Sequence, residues 1–153
     1  MKKLLILMIV LAFFTSALLS QTIADYTYST ATNGSLEDMS TGTTDIFATG
    51  TYRDDDASTL RTIGFDFKLG TVTHTQFSVN SNGQMQLGAT VISGTSASPA
   101  SGLARLAPIS GDNVLQATGK VTMKMFGTAP SRILVVEFNG LRLPYAGSPG
   151  AGT

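Results

Sequence analysis

The chain has 153 residues, with ten basic and ten acidic side chains, one His, no Cys and no Trp, and only 13% of its residues are charged. That length fits one domain, and the low charge is unlike a solvated, disordered chain. The missing ligand atoms exclude a disulfide scaffold, a thiolate zinc site and a cluster of histidine ligands.

Met1-Lys2-Lys3 precedes an apolar run from Leu4 through Phe14, followed by small and apolar residues to Ser20. This is the pattern of a secretory signal: the lysines hold the amino end in the cytoplasm and the apolar run enters the translocon as a helix. From Leu4 to Leu19 it falls short of the roughly 20 residues that a membrane span requires. Cleavage is expected between Ser20 and Gln21, with Ala17/Leu18 and Ala24/Asp25 as rival sites, and no Cys follows that could take a lipid. Residues 21–153 then hold eight basic against ten acidic side chains, the basic ones scattered singly from Arg53 to Arg142. Nucleic acid is not an expected partner, because phosphate neutralisation needs a basic stripe. The expected product is secreted, periplasmic or at the cell surface, with no membrane span after cleavage.

From Asp25 onward, period-2 stretches rich in Thr, Val, Phe, Ile and Tyr recur between Gly, Asn and Asp turn signals, and no helical apolar period is sustained. Candidate strands are Asp25–Thr30, Thr44–Thr49, Arg61–Lys68, Thr75–Asn80, Gln84–Ala89, Leu103–Ile109, Val114–Ala117, Lys120–Phe126, Ile133–Phe138 and Leu141–Pro144. About ten short strands predict an all-β fold, a two-sheet antiparallel β-sandwich of jelly-roll type, over residues 21–145.

Two hairpins can be read in register. A three-residue loop, Ser81-Asn82-Gly83, pairs Val79 with Met85 and Phe77 with Leu87 on one apolar face, and Gly83 supplies the left-handed position that such a loop requires. At Asn139-Gly140 a two-residue loop would pair Phe138 with Leu141 and Val136 with Leu143, which predicts a tight primed turn. Ile133-Leu134-Val135-Val136 is apolar on both faces and reads as a central strand. The expected core is Phe65, Phe67, Phe77, Val79, Met85, Leu87, Val121, Met123, Met125, Leu134, Val136 and Phe138. Val91–Gly102 reads as a mobile small-residue loop. Ala146–Thr153 reads as a Gly/Ser/Pro-rich tail or linker, which implies something to link to.

Four acids are candidate ligands. Asp54-Asp55-Asp56 is the densest charge cluster, and carboxylate oxygens suit calcium, although the glycine and spacing of an EF-hand loop are absent. Asp112, in Ser110-Gly111-Asp112-Asn113, is the fourth, and calcium is the one cofactor these residues could hold. Tyr26, Tyr28, Tyr52 and Tyr145 are the aromatic side chains available to stack on sugar rings. Ser93-Gly94-Thr95-Ser96-Ala97-Ser98-Pro99 resembles the serine segment of subtilisin-like proteases, but its proline comes one residue early and no His-Gly-Thr segment surrounds His74. His74, at a strand start, is expected to be exposed, and Glu137 to lie on the outer sheet face. No catalytic residues are assigned.

Read in order, Asp54–Asp56, Ile63-Gly64-Phe65-Asp66-Phe67, Asn80-Ser81-Asn82-Gly83, Met85–Gly88, Leu106-Ala107-Pro108 and Gly127-Thr128-Ala129-Pro130-Ser131-Arg132 with Ile133–Asn139 form a series of motifs. The series resembles a β-sandwich module near the amino end of secreted and cell-surface proteins of Bacteroidetes-type bacteria, over about residues 25–145. That module is more distantly similar to the nidogen-type extracellular module, and many members continue into a type IX sorting domain. Where the family has an aromatic-Asp-Asp segment after the Ala-Pro, this chain has Ile109-Ser110-Gly111-Asp112. The resemblance implies an exported, non-catalytic binding or structural module for adhesion, with an extracellular protein or glycan as partner. The alternative is a calcium-assisted carbohydrate-binding module or an accessory domain of a secreted hydrolase.

Overall fold

Strands form where β-branched and aromatic side chains alternate with polar ones. The computed structural model, which describes residues 32, 34–98, 102–109 and 111–143, contains seven strands in those residues. They are β1 (Thr44–Phe47), β2 (Arg61–Leu69), β3 (Val72–Val79), β4 (Met85–Leu87), β5 (Arg105–Leu106), β6 (Val114–Phe126) and β7 (Ile133–Arg142). A three-stranded sheet in the order β1-β6-β7 packs on a four-stranded sheet in the order β2-β3-β4-β5, all pairs antiparallel. The fold class is therefore the all-β, two-sheet sandwich expected. Asp25–Thr30 lies outside the described residues, as do the segments 1–20 and 146–153. Seven strands are described against ten expected because two pairs of expected strands are each one long strand and one, Asp25–Thr30, is outside the described residues.

The first hairpin has the expected register. Phe77 pairs with Leu87 and Val79 with Met85 across Ser81-Asn82-Gly83, and Gly83 sits at φ 81°. The second expectation is wrong. β7 runs straight through Asn139-Gly140, and the chain reverses instead at residues 127–132, where Gly127 has φ 72° and the Ala129-Pro130 peptide is cis. Gly140 does adopt the positive φ that the dipeptide promised, 78°, but uses it at a bulge. The register steps from Leu115 opposite Leu141 to Lys120 opposite Asn139, so β6 carries the extra residues. The two strands come close there: a Cβ on Gly140 would lie 2.6 Å from the Gly119 Cα, and one on Gly119 would lie 2.6 Å from the Asn139 carbonyl oxygen.

Side chains from both sheets close the core. Ile46, Phe47, Ile63, Phe77, Val79, Leu87, Leu115 and Val121 are its buried members, and Phe77, Val79, Leu115 and Val121 are wholly inaccessible. Each large side chain so buried contributes about 1.5–3 kcal/mol relative to exposure. Phe65, Phe67, Met85, Met123, Leu134, Val136 and Phe138 pack against this cluster while part-buried. Met125 departs from the expected core and is 37% exposed, reaching over Gly64, whose missing side chain makes the room.

β7 corrects another expectation, since among the described residues it is the edge of its sheet and not a central strand. No residue of β7 is fully buried, and Ile133 is half exposed. His74 is also corrected: it lies opposite Phe67 in register and is buried, with the open backbone of Gly88 against its imidazole. Among the described residues, no helix is long and apolar enough to cross a membrane.

Candidate functional site

Among the described residues, functional side chains gather on a set of loops and in an apolar cleft, and the loops come first. A backbone bridge between Arg53 and Leu115, with both amides donating to the opposite carbonyls, fixes the loop before the acids. A second bridge, Ala57 to Asn80, fixes the loop after them. Between these anchors Ser81 donates its amide to the Asp56 carbonyl at 2.9 Å, and the Asp56 amide donates to the Ser81 hydroxyl at 3.0 Å. Asp55 takes φ 60°, a left-handed conformation that aspartate tolerates better than most residues.

This geometry divides the four candidate acids. Asp56 turns to Arg53 and pairs with its guanidinium at 2.8 Å, while that guanidinium also lies 4.9 Å above the Phe47 ring. Asp54, Asp55 and Asp112 converge, with one carboxylate oxygen of each within 4.8 Å of the others, all three exposed. Lost solvation, then the charges of Asp55 and Asp112, push the Asp54 carboxyl above its ordinary value, against a lowering hydrogen bond from the Asp55 backbone. Oxygens so placed could hold a hard divalent cation or share a proton. Tyr52, two residues before Asp54, is 47% exposed. Tyr26, Tyr28 and Tyr145 lie outside the described residues.

A buried polar scaffold supports these loops, and the sequence reading missed it. Asn80 is fully buried and donates to the carbonyls of Ser93 and Ser96 at 3.1 and 2.9 Å, while its Oδ1 accepts from the Gln84 amide at 3.0 Å. Asn82 donates to the carbonyls of Gly94 and Ser96, each at 3.2 Å, and Asn113 donates to the Asn82 carbonyl at 2.8 Å. Ile92 is 1% exposed, and its amide donates to the Ser78 hydroxyl. Residues 92–96 are therefore pinned to the β3–β4 turn, contrary to the mobile loop expected. Gly94 lies so tightly on the Asp55 carbonyl that a Cβ there would overlap the oxygen. The available signal was the run Asn80-Ser81-Asn82-Gly83-Gln84, more amide and hydroxyl groups than a turn needs.

The second region is an apolar cleft of about 420 Å³ between the sheets. One wall is β7, with Leu134, Val136 and Phe138 on the strand's inward face. Facing it are Ile63, Phe65 and Phe67 of β2, Met85 and Leu87 of β4, and Leu106 of β5. Alternation along β2 aims its odd-numbered residues inward, so the Ile-Gly-Phe-Asp-Phe motif lines the cleft with apolar groups and leaves Asp66 and Lys68 outside. Among the described residues, Arg132 is the only charged side chain in the lining. It spans the mouth from the start of β7 to β2, donating Nη1 to the Gly64 carbonyl at 3.0 Å, with its guanidinium 5.3 Å from the Phe65 ring centre. On the outward face of β7, Glu137 meets the buried Thr122 hydroxyl at 3.4 Å.

The model of the NIDO-related family matches residues 25–151. No curated protein and no solved structure matches the chain.

Proposed function

Because the chain belongs to the NIDO-related family, we propose that it is an exported, non-catalytic binding or structural module that acts in adhesion or interaction outside the cell. The family match across residues 25–151 carries this reading, since the family is a non-enzymatic module type and nidogen-like domains are typically extracellular. The two-sheet sandwich supports it: rigid strands hold the loops at Asp54–Asp56, 92–96 and Asp112, where such modules carry their contacts. In the finer form of the proposal, residues 1–20 are removed on export and the module stands at the head of a Bacteroidetes-type, type IX-secreted surface protein. Its partner is an extracellular protein or glycan.

Beads coated with the exported chain are expected to adhere to extracellular-matrix or glycan surfaces and to be displaced by soluble chain. Adhesion no greater than that of albumin-coated beads, or turnover of a sugar or peptide substrate, would overturn the proposal. Intact mass of the native product in periplasm, outer membrane and medium tests the export half, and an uncleaved leader would overturn it.

A second reading, a calcium-assisted carbohydrate module or hydrolase accessory domain, draws on the convergence of Asp54, Asp55 and Asp112 beside exposed Tyr52. A ligand of the native state must raise stability. That reading expects a higher Tm with saturating calcium and a further rise with glycan, both absent in Asp54→Asn/Asp55→Asn. A Tm indifferent to both ligands removes it.

A further inference from the structure

We propose that the cleft between β7 and the four-stranded sheet binds a single long-chain fatty acid, its carboxylate at Arg132 and its alkyl chain directed along Leu134 and Val136 toward Gly83 and Pro108. This stands on the cleft alone and goes beyond the adhesion reading. The volume, about 420 Å³, lies within the roughly 300–1,000 Å³ of small-ligand sites. Its walls are aliphatic and aromatic, so water inside finds few partners and an alkyl chain gains from entering.

Charge selects the head group. Among the described residues Arg132 is the only charged side chain in the lining and no acid shares the cleft with it, so an entering anion meets one cation and no like charge there. The guanidinium is already oriented, by its bond to the Gly64 carbonyl and by the Phe65 ring beneath it. That fixed fork suits a carboxylate, which takes paired N–H bonds from arginine. Gly64 is part of the arrangement: at φ 87° it accepts from Arg132 while leaving room for Met125. A peptide strand inside the cleft would bring its own amides against walls whose described side chains offer no polar group but this one, and burying unpaired amides is costly. A fatty acid has no such groups along its length.

Calorimetric titration of the full exported chain with sodium tetradecanoate below its micelle concentration tests this, with tetradecanol as the uncharged probe. The expected result is saturable one-to-one binding of the acid, at least tenfold tighter than of the alcohol. Arg132→Met keeps the stem and removes the charge; it should weaken the acid at least tenfold and leave the alcohol unchanged. Leu106, 40% exposed on the cleft rim, gives a variant that spares the core, and Leu106→Glu should weaken both probes. Melting curves establish that each variant is folded; should Arg132→Met not fold, Arg132→Gln and the wild-type preference for acid over alcohol carry the test. Absence of saturable binding, equal affinity for acid and alcohol, or an Arg132 variant that keeps the preference would each overturn the proposal. So would self-association or peptide binding that is abolished by Leu106→Glu while tetradecanoate has no effect on it. Bead adhesion is scored separately, so either reading can fail without the other.

Discussion

Single side chains on the loops make two sharp predictions. Asp54 has a carboxyl raised by lost solvation and by its acidic neighbours, so the native state holds that proton more tightly than the unfolded chain does. The folded form is therefore favoured most below the ordinary carboxylate range, and that advantage is lost as pH rises through the raised value. Asp54→Asn should shift the urea midpoint upward at pH 7 and leave it unmoved near pH 3. The shift is small, because the group is exposed and salt screens it. Equal shifts at both pH values would show that the ionised Asp54 carboxylate is not the cause. Asn80 is the opposite case, buried and bonded on both ends of its amide. Asn80→Ala takes the acceptor from the Gln84 amide and one donor each from the carbonyls of Ser93 and Ser96, which keep the Ser96 amide and the Asn82 side chain; the cost is roughly 1–3 kcal/mol by urea unfolding, and residues 92–96 loosen to hydrogen exchange. The acids were legible as ligand types from their sequence alone. Their grouping was not, because Asp112 reaches Asp54 and Asp55 only through the Arg53–Leu115 bridge and the start of β6.

Strand boundaries follow turn chemistry, and the glycines show how far that chemistry can be read. At Gly83 the parity of apolar residues on both sides admits one loop length, and the observed register has it. At Asn139-Gly140 the same parity was satisfied by a turn that does not exist. The dipeptide signals a positive φ, and both a primed turn and a bulge need one. What separates them is the partner strand, since Gly119 and the bulge in β6 meet Gly140 from the neighbouring strand. Gly140→Ala therefore combines a left-handed alanine with a 2.6 Å clash, an expected loss of roughly 2–4 kcal/mol by urea unfolding. Gly102→Ala isolates the first effect: φ is 77° and nothing lies within 4 Å, so about 1–2 kcal/mol is expected. Equal losses would mean that the close approach of the two glycines contributes nothing. Ile133–Val136 misled for a related reason. Apolar groups on both faces imply a covered strand, whereas β7 turns one face to the cleft and, among the described residues, leaves its outer edge unpaired.

The two sheets are not closed equally along their interface. Around Phe77, Val79, Leu115 and Val121, side chains of β3 and β6 meet with no accessible surface. Around Leu134, Val136 and Phe138 the sheets part, and the same kind of residue lines the open cleft. No single-strand pattern encodes this, because Phe67 and Phe77 both occupy inward positions. Only the placement of one sheet over the other decides which of them is sealed. The consequence is an uneven response to truncation. Phe77→Ala removes a ring from a closed volume that surrounding strands cannot fill, and an expected loss is about 3–5 kcal/mol. Leu134→Ala enlarges a space that solvent already reaches, so no sealed cavity forms and only part of the transfer energy is lost, about 1 kcal/mol. Urea unfolding of the two variants measures the contrast, with a shared m-value as the check that the unfolded state is unchanged. A Leu134→Ala loss as large as that of Phe77→Ala would mean that the cleft is shut in solution. A loss confined to Phe77 would leave the cleft as a surface that the fold can spare for binding.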